Sequence, residues 1–178
     1  ERHDRSAFEI VLYSAHLHEG AMNARYRAAA DAWRDLPRDD ASAAATIADD
    51  DLDLLVDLAG HAPGNRLPVL ARRPAPVQAT WLDYFATTGM EGIDYFVSDA
   101  VATPASEAPR FRERLVLLPC RFAYRPLDSA ASSPPPALAR GHVTYGSFNR
   151  HAKLTRATLD AWKTILDTTP DARLVLRA

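Results

Sequence analysis

The feature that most restricts the fold is a recurring pattern: short runs of β-branched, aromatic and aliphatic residues, each closed by a polar or glycine-containing loop. Phe8-Glu9-Ile10-Val11-Leu12-Tyr13 ends at Ser14, and Ala, Met22, Tyr26, Ala29, Ala30 and Trp33 then recur at helical spacing over 21–34. The centre of Asp51–Leu58 is almost continuously apolar, which suits a strand covered on both faces, and it stops at Ala59-Gly60-His61. A short helix is expected from Asn65, as N-cap, to Arg73, where Pro74 and Pro76 stop it. Strands follow at 77–82, 93–99 and 114–119. Strands alternating with helices or loops imply an α/β layer with a mostly parallel sheet.

Residues 125–141 break the pattern. Arg125-Pro126-Leu127-Asp128-Ser129-Ala130-Ala131-Ser132-Ser133-Pro134-Pro135-Pro136 and the five residues after it have little to bury, and read as a linker. The pattern restarts with a strand at 143–148, a helix capped by Thr155 and running to about Thr168, and a strand at 173–177. The expected organisation is therefore a lobe at 1–124, a linker at 125–141, and the first βαβ unit of a second lobe at 142–178. The net charge of −2 gives no reason to expect nucleic acid or an anionic membrane as partner. No apolar run approaches the roughly 20 residues of a membrane span. The first residues lack both an initiator Met and a signal peptide, so an excised piece is expected. A single cysteine, Cys120, excludes an internal disulfide and a multi-cysteine metal site, fits a reducing cytoplasm, and reads as a buried small apolar residue. Trp33, Trp81 and Trp162 lie on periodic faces and read as core.

Ligands of a doubly wound sheet bind beyond the carboxyl ends of its strands. Gly60-His61-Ala62-Pro63-Gly64-Asn65-Arg66 offers an imidazole and exposed amides before a helix start; equally, His61 merely caps a strand. Ala86-Thr87-Thr88-Gly89 offers hydroxyls and N–H groups for a sugar or phosphate oxygen, and a plain turn has the same composition. Phe148-Asn149-Arg150-His151-Ala152-Lys153-Leu154-Thr155 places Asn149, Arg150 and one of only two lysines between a strand end and a capped helix. There a cation and the helix dipole would act together on a diphosphate; a solvated polar loop is the even alternative. Neither a Walker loop nor a G-x-G-x-x-G turn is present. His16, His18 and Glu19 lack a third ligand nearby, so they read as a solvated loop and no metal site is expected.

Several ordered segments resemble a known family: Asp57-Leu58-Ala59-Gly60-His61 with Gly64-Asn65-Arg66, Arg73-Pro74-Ala75-Pro76-Val77-Gln78-Ala79 with Trp81-Leu82 and Tyr84, Thr87-Thr88-Gly89, Ile93-Asp94-Tyr95, Ser98-Asp99, Leu118-Pro119, and Gly146-Ser147-Phe148-Asn149 with Lys153. Together they are similar to the catalytic domain of the O-linked N-acetylglucosamine transferase (SPINDLY) family, glycosyltransferase family 41, bacterial type. The resemblance implies a GT-B-like fold of two Rossmann-like lobes, and inverting, metal-independent transfer of a sugar from a UDP donor to Ser or Thr of an acceptor protein or peptide. It assigns Lys153 to the family's F-N-x-x-x-K lysine, which stabilises the leaving diphosphate, and Arg150 to a position usually held by a diphosphate-side polar residue. Asn149 belongs to the same donor-binding motif. Thr87, Thr88 and Gly89 would lie by the donor sugar and acceptor, with His61 nearby. The UDP-sugar is a co-substrate, and no cofactor is expected.

The chain departs from the family where Trp-Leu-Gly-Tyr-Pro-Gly becomes Trp81-Leu82-Asp83-Tyr84-Phe85-Ala86. A bulkier loop by the sugar leaves the donor open between N-acetylglucosamine and another hexose, as in the branch that glycosylates Asn. Also absent are the family's upstream His motif, the rest of the C-terminal lobe and any tetratricopeptide array, so this chain alone is expected to be inactive. A transferase acting on small molecules and a catalytically idle Rossmann-like binding module are the rival readings.

Overall fold

The computed structural model describes residues 3–15, 20–122 and 133–177. His16, His18 and Glu19 fall outside them, as does most of the segment read as a linker. The chain divides into two compact units, 1–124 and 125–178.

In the first unit β1 (Val11–Ser14) leads through α1 (Ala21–Ala29) to β2 (Ala32–Asp35). β1 and β2 pair in parallel, with Val11 opposite Ala32 and Ser14 opposite Asp35. Residues 21–34 are thus not one helix. The Ile10 carbonyl accepts from the Asp31 and Ala32 amides, and the Asp31 carboxylate accepts from the Ile10 amide. That pairing turns Ala32-Trp33-Arg34-Asp35 into a strand against its helical periodicity, because tertiary contacts override weak local propensity.

α2 (Asp40–Ala48) was not expected from the pattern. Asp39 caps it, accepting from the Ser42 amide, and it buries Ala43, Ala44 and Ile47. These residues pack with Leu67, Val69 and Leu70 of α3 (Leu67–Leu70), and with Leu55 of β3 (Leu54–Asp57), to form the main apolar cluster. Each large aliphatic there contributes roughly 1.5–3 kcal/mol by leaving water. The N-cap of α3 is Arg66 rather than Asn65, although Asn65 Oδ1 still accepts from the Leu67 amide.

β3 continues with β4 (Val77–Thr80), β5 (Tyr95–Asp99) and β6 (Arg114–Leu118) as a four-stranded sheet in sequential order. A 3₁₀ turn at Ala105–Arg110 precedes β6. Every strand pairing among the described residues is parallel, and the fold is α/β. The second unit contains α4 (Pro136–Arg140), a short helix inside the segment read as linker. After it come β7 (Thr144–Ser147), a 3₁₀ turn at His151–Lys153, α5 (Arg156–Thr168) and β8 (Arg173–Leu176), with β7 and β8 parallel.

Three smaller expectations fail. Cys120 is exposed, at the solvent end of the chain leaving β6. The tryptophans are half-buried rather than core, since their polar or ring faces are engaged. Trp33 carries the Arg27 guanidinium 4.2 Å above its ring, and the Trp81 indole N–H donates to the Arg121 carbonyl at 2.7 Å.

Candidate functional site

The carboxyl ends of β3 and β4 are tied together before any ligand is considered. Asp57, the last residue of β3, accepts from the Thr80 hydroxyl at 2.7 Å, the Gly60 amide at 2.7 Å and the Ala59 amide at 3.2 Å. These bonds fold the chain back on itself, and Gly60 turns with a φ of +52°. A Cβ on Gly60 would stand 2.5 Å from the Tyr84 Cβ. Gly60→Ala is therefore expected to destabilise the fold by about 2 kcal/mol, from the left-handed backbone and the displaced Tyr84. Urea titration of the parent and variant checks it, and a change inside 0.5 kcal/mol is the contrary result.

His61 sits just beyond this turn, edge-on to Tyr84 at 5.3 Å between ring centroids. Its Nε2 lies 2.9 Å from the Thr88 carbonyl. A carbonyl only accepts, so the proton is on Nε2 and Nδ1 is the free acceptor. The imidazole thus links the loop after β3 to the loop carrying Thr87, Thr88 and Gly89.

That second loop is closed by Glu113, which the sequence did not single out. The Thr87 hydroxyl donates to Glu113 Oε2 at 2.6 Å, the Thr88 amide donates to Oε1 at 2.7 Å, and the Thr88 hydroxyl also donates to Oε1. Burial by itself raises the Glu113 pKa, but the hydroxyl and amide donors of Thr87 and Thr88 outweigh it and hold the carboxyl below its ordinary value. The Gly89 amide donates to Thr87 Oγ1 at 3.0 Å, and Gly89 itself is exposed with a φ of +71°. The threonine hydroxyl protons point to Glu113, and the oxygen lone pairs and Gly89 remain for an outside group.

Asp99, ending β5, accepts from the amides of Ala102 at 2.8 Å, Arg121 at 2.7 Å and Val101 at 3.0 Å, and these bonds hold its carboxyl below the ordinary range. Arg121 is wholly buried. It donates to the Leu82 carbonyl and, at 3.3 Å, to that of Tyr84, while Phe85 stacks 4.4 Å from its guanidinium carbon. Arg121 thereby pins the loop in which this chain departs from the family pattern. A buried arginine and a buried glutamate carry no local signal in the sequence, because their partners lie 25 to 39 residues away.

In the second unit the Thr155 side chain accepts from the Thr158 amide at 3.2 Å and caps α5 as expected. Asn149, Arg150 and Lys153 lie in the short stretch between β7 and that cap, and all three are exposed. Lys153 ends the 3₁₀ turn, its amide donating to the Arg150 carbonyl at 2.9 Å. Its amine is paired with no carboxylate among the described residues, whereas the other lysine, Lys163, is bound to Asp167. Asn149 also borders a cavity of about 320 Å³ lined by Tyr145, Trp162 and Leu174. The described residues contain no group of three potential metal ligands and no helix long and apolar enough to cross a membrane.

A parallel α/β lobe with these strand-end loops defines a class, and the chain belongs to glycosyl transferase family 41, whose profile matches residues 1–124. The chain is 40% identical over 182 aligned positions to the probable UDP-N-acetylglucosamine-peptide N-acetylglucosaminyltransferase SPINDLY of Petunia hybrida, and 39% identical to that of Arabidopsis thaliana. Each alignment covers 98% of this chain and 20% of the relative. The corresponding Caenorhabditis elegans transferase is 33% identical over 67% of this chain and 11% of its own length. Among solved structures, a lysine-to-methionine variant of the Thermobaculum terrenum O-GlcNAc transferase superposes with a TM-score of 0.88 at 40% identity, over 98% of this chain and 33% of that one. The chain thus spans about a fifth of the length of the curated relatives it matches.

Proposed function

We propose that this chain is part of an inverting, metal-independent glycosyltransferase that moves N-acetylglucosamine from a UDP donor to Ser or Thr of an acceptor protein or peptide. The observation that carries this reading is Lys153: an unpaired ammonium group, in an F-N-x-x-x-K motif, between a strand end and the capped start of α5. A departing UDP gains negative charge as its bond to the sugar breaks. A fixed cation and helix amides neutralise that charge without a divalent metal. Asn149 and Arg150, on the same loop, supply further polar contacts to the diphosphate. His61, with Nδ1 free, and the Thr87-Thr88-Gly89 loop serve the sugar and acceptor side. An exposed free thiol at Cys120 suits a reducing compartment, so the protein works in the cytoplasm.

The experiment uses the natural gene product containing both lobes, incubated with cell protein and UDP-N-acetylglucosamine or UDP-glucose. Mass spectrometry of the peptides is expected to find N-acetylhexosamine on Ser or Thr. Sugar on Asn, hexose in preference to N-acetylhexosamine, or label confined to small molecules would replace the corresponding part of the proposal.

A further inference from the structure

Two of the strands have edges that nothing fills. β1 pairs only with β2, and β3 only with β4. The remaining edges of β1 and β3 border one cavity of about 520 Å³, lined by Val11, Tyr13, Leu55 and Val56 among others. An unpaired backbone edge facing apolar surface leaves strong donors and acceptors without partners.

The direction of the chain says what belongs there. From β1 to β2 the sheet grows one way, and from β3 through β6 it grows the other way. A doubly wound sheet changes direction in this manner around one central strand, which begins the chain of strands and lies between the two halves. A second feature points to the same unit. β3 alternates: Leu55 packs into the α2 and α3 cluster, while Leu54 and Leu58 on its other face are 51% and 50% exposed. Crossovers between parallel strands are right-handed. A crossover from a central strand to β1 advances in the same direction as that from β1 to β2. Its helix therefore lies on the α1 face, opposite α2 and α3, and covers Leu54, Val56 and Leu58.

We propose that the slot between β1 and β3 receives a parallel, almost wholly apolar strand followed by an amphipathic helix, supplied by polypeptide preceding Glu1. The strand closes both backbone edges, and the helix covers the bare face of β3. Buried on both faces, the strand reads as a continuous aliphatic run of about five residues. The relatives, of which this chain spans 20%, contain ample chain to provide it. This inference concerns the fold of the first unit and does not depend on the reaction proposed above.

Amide hydrogen exchange of the 178-residue chain is compared with that of the natural polypeptide extended by the forty or so residues encoded upstream. Segments 10–15 and 54–58 are expected to exchange at least about a hundredfold more slowly in the longer chain, both together. Equal exchange in the two chains overturns the proposal. So does protection already complete in the shorter chain, whether as a monomer with β1 paired to β3 or as a dimer whose second copy occupies the slot. Val56→Lys supplies the second measurement. It is expected to leave the circular dichroism of the 178-residue chain unchanged and to abolish the added protection in the longer one. Retained protection in the longer Val56→Lys chain removes the covering helix.

Discussion

Lys153→Ala is expected to slow sugar transfer by the two-lobed enzyme about 10²- to 10³-fold, the usual loss when one preorganised group stabilising transition-state charge is removed. The physical reason lies in the timing of the charge. The diphosphate is already anionic in the bound donor, but it gains a further share only as the glycosidic bond breaks, so most of the loss falls on kcat rather than KM. Lys153→Arg keeps the charge but replaces a compact ammonium by a larger planar fork, and recovers only part of the rate. Steady-state kinetics with UDP-N-acetylglucosamine decide the matter. A variant whose kcat is within threefold of the parent assigns Lys153 to the surface and leaves the leaving group to another cation.

Glu113→Ala carries the largest expected loss of stability in the first unit, about 3 kcal/mol, because it strands the Thr88 amide and two threonine hydroxyls without their acceptor. The carboxylate also sets a pH dependence whose sign follows from its lowered pKa. The folded state binds the proton less readily than the unfolded state does. The contribution of Glu113 is therefore complete above its ordinary value of 4.5 and disappears as the pH falls through the lower folded value. Asp99 acts in the same direction. Urea midpoints measured from pH 7 to pH 3 should fall on the acid side in the parent, and less steeply in Glu113→Gln. An identical acid limb in both proteins would assign it to Asp99 and the other lowered carboxyls. Because Thr88 accepts from His61 through its carbonyl, loosening this loop also frees the imidazole.

Several residues that made the family legible are struts rather than ligands. Arg66 donates to Asp40 and to the Pro37 carbonyl, fastening α3 to the approach of α2. Arg73 grips Asp94, whose carboxylate also accepts from the Gln78 amide, and the Gln78 side chain donates to the Leu70 carbonyl. Their spacing identified the family because each strut needs one residue type at one place. That spacing alone could not separate a strut from a ligand, since both are polar residues at strand ends. β2 and α2 were lost to the pattern for another reason. The alanine-rich stretches around them fit helix and strand about equally, and only pairing with β1 and packing on α3 chose between the two.

The amino-acid sequence by itself determined the succession of strands and loops, the cap at Thr155, the restart after residue 141 and the family, because periodicity, capping and motif spacing are local and survive without a fold. Tertiary structure alone decided that Glu113 closes the threonine loop, that Arg121 is buried beneath Phe85, and that β1 and β3 face an unfilled slot. A hydrogen bond or an edge shared by segments twenty-five or more residues apart leaves no local trace; it exists only once the strands have brought those segments together.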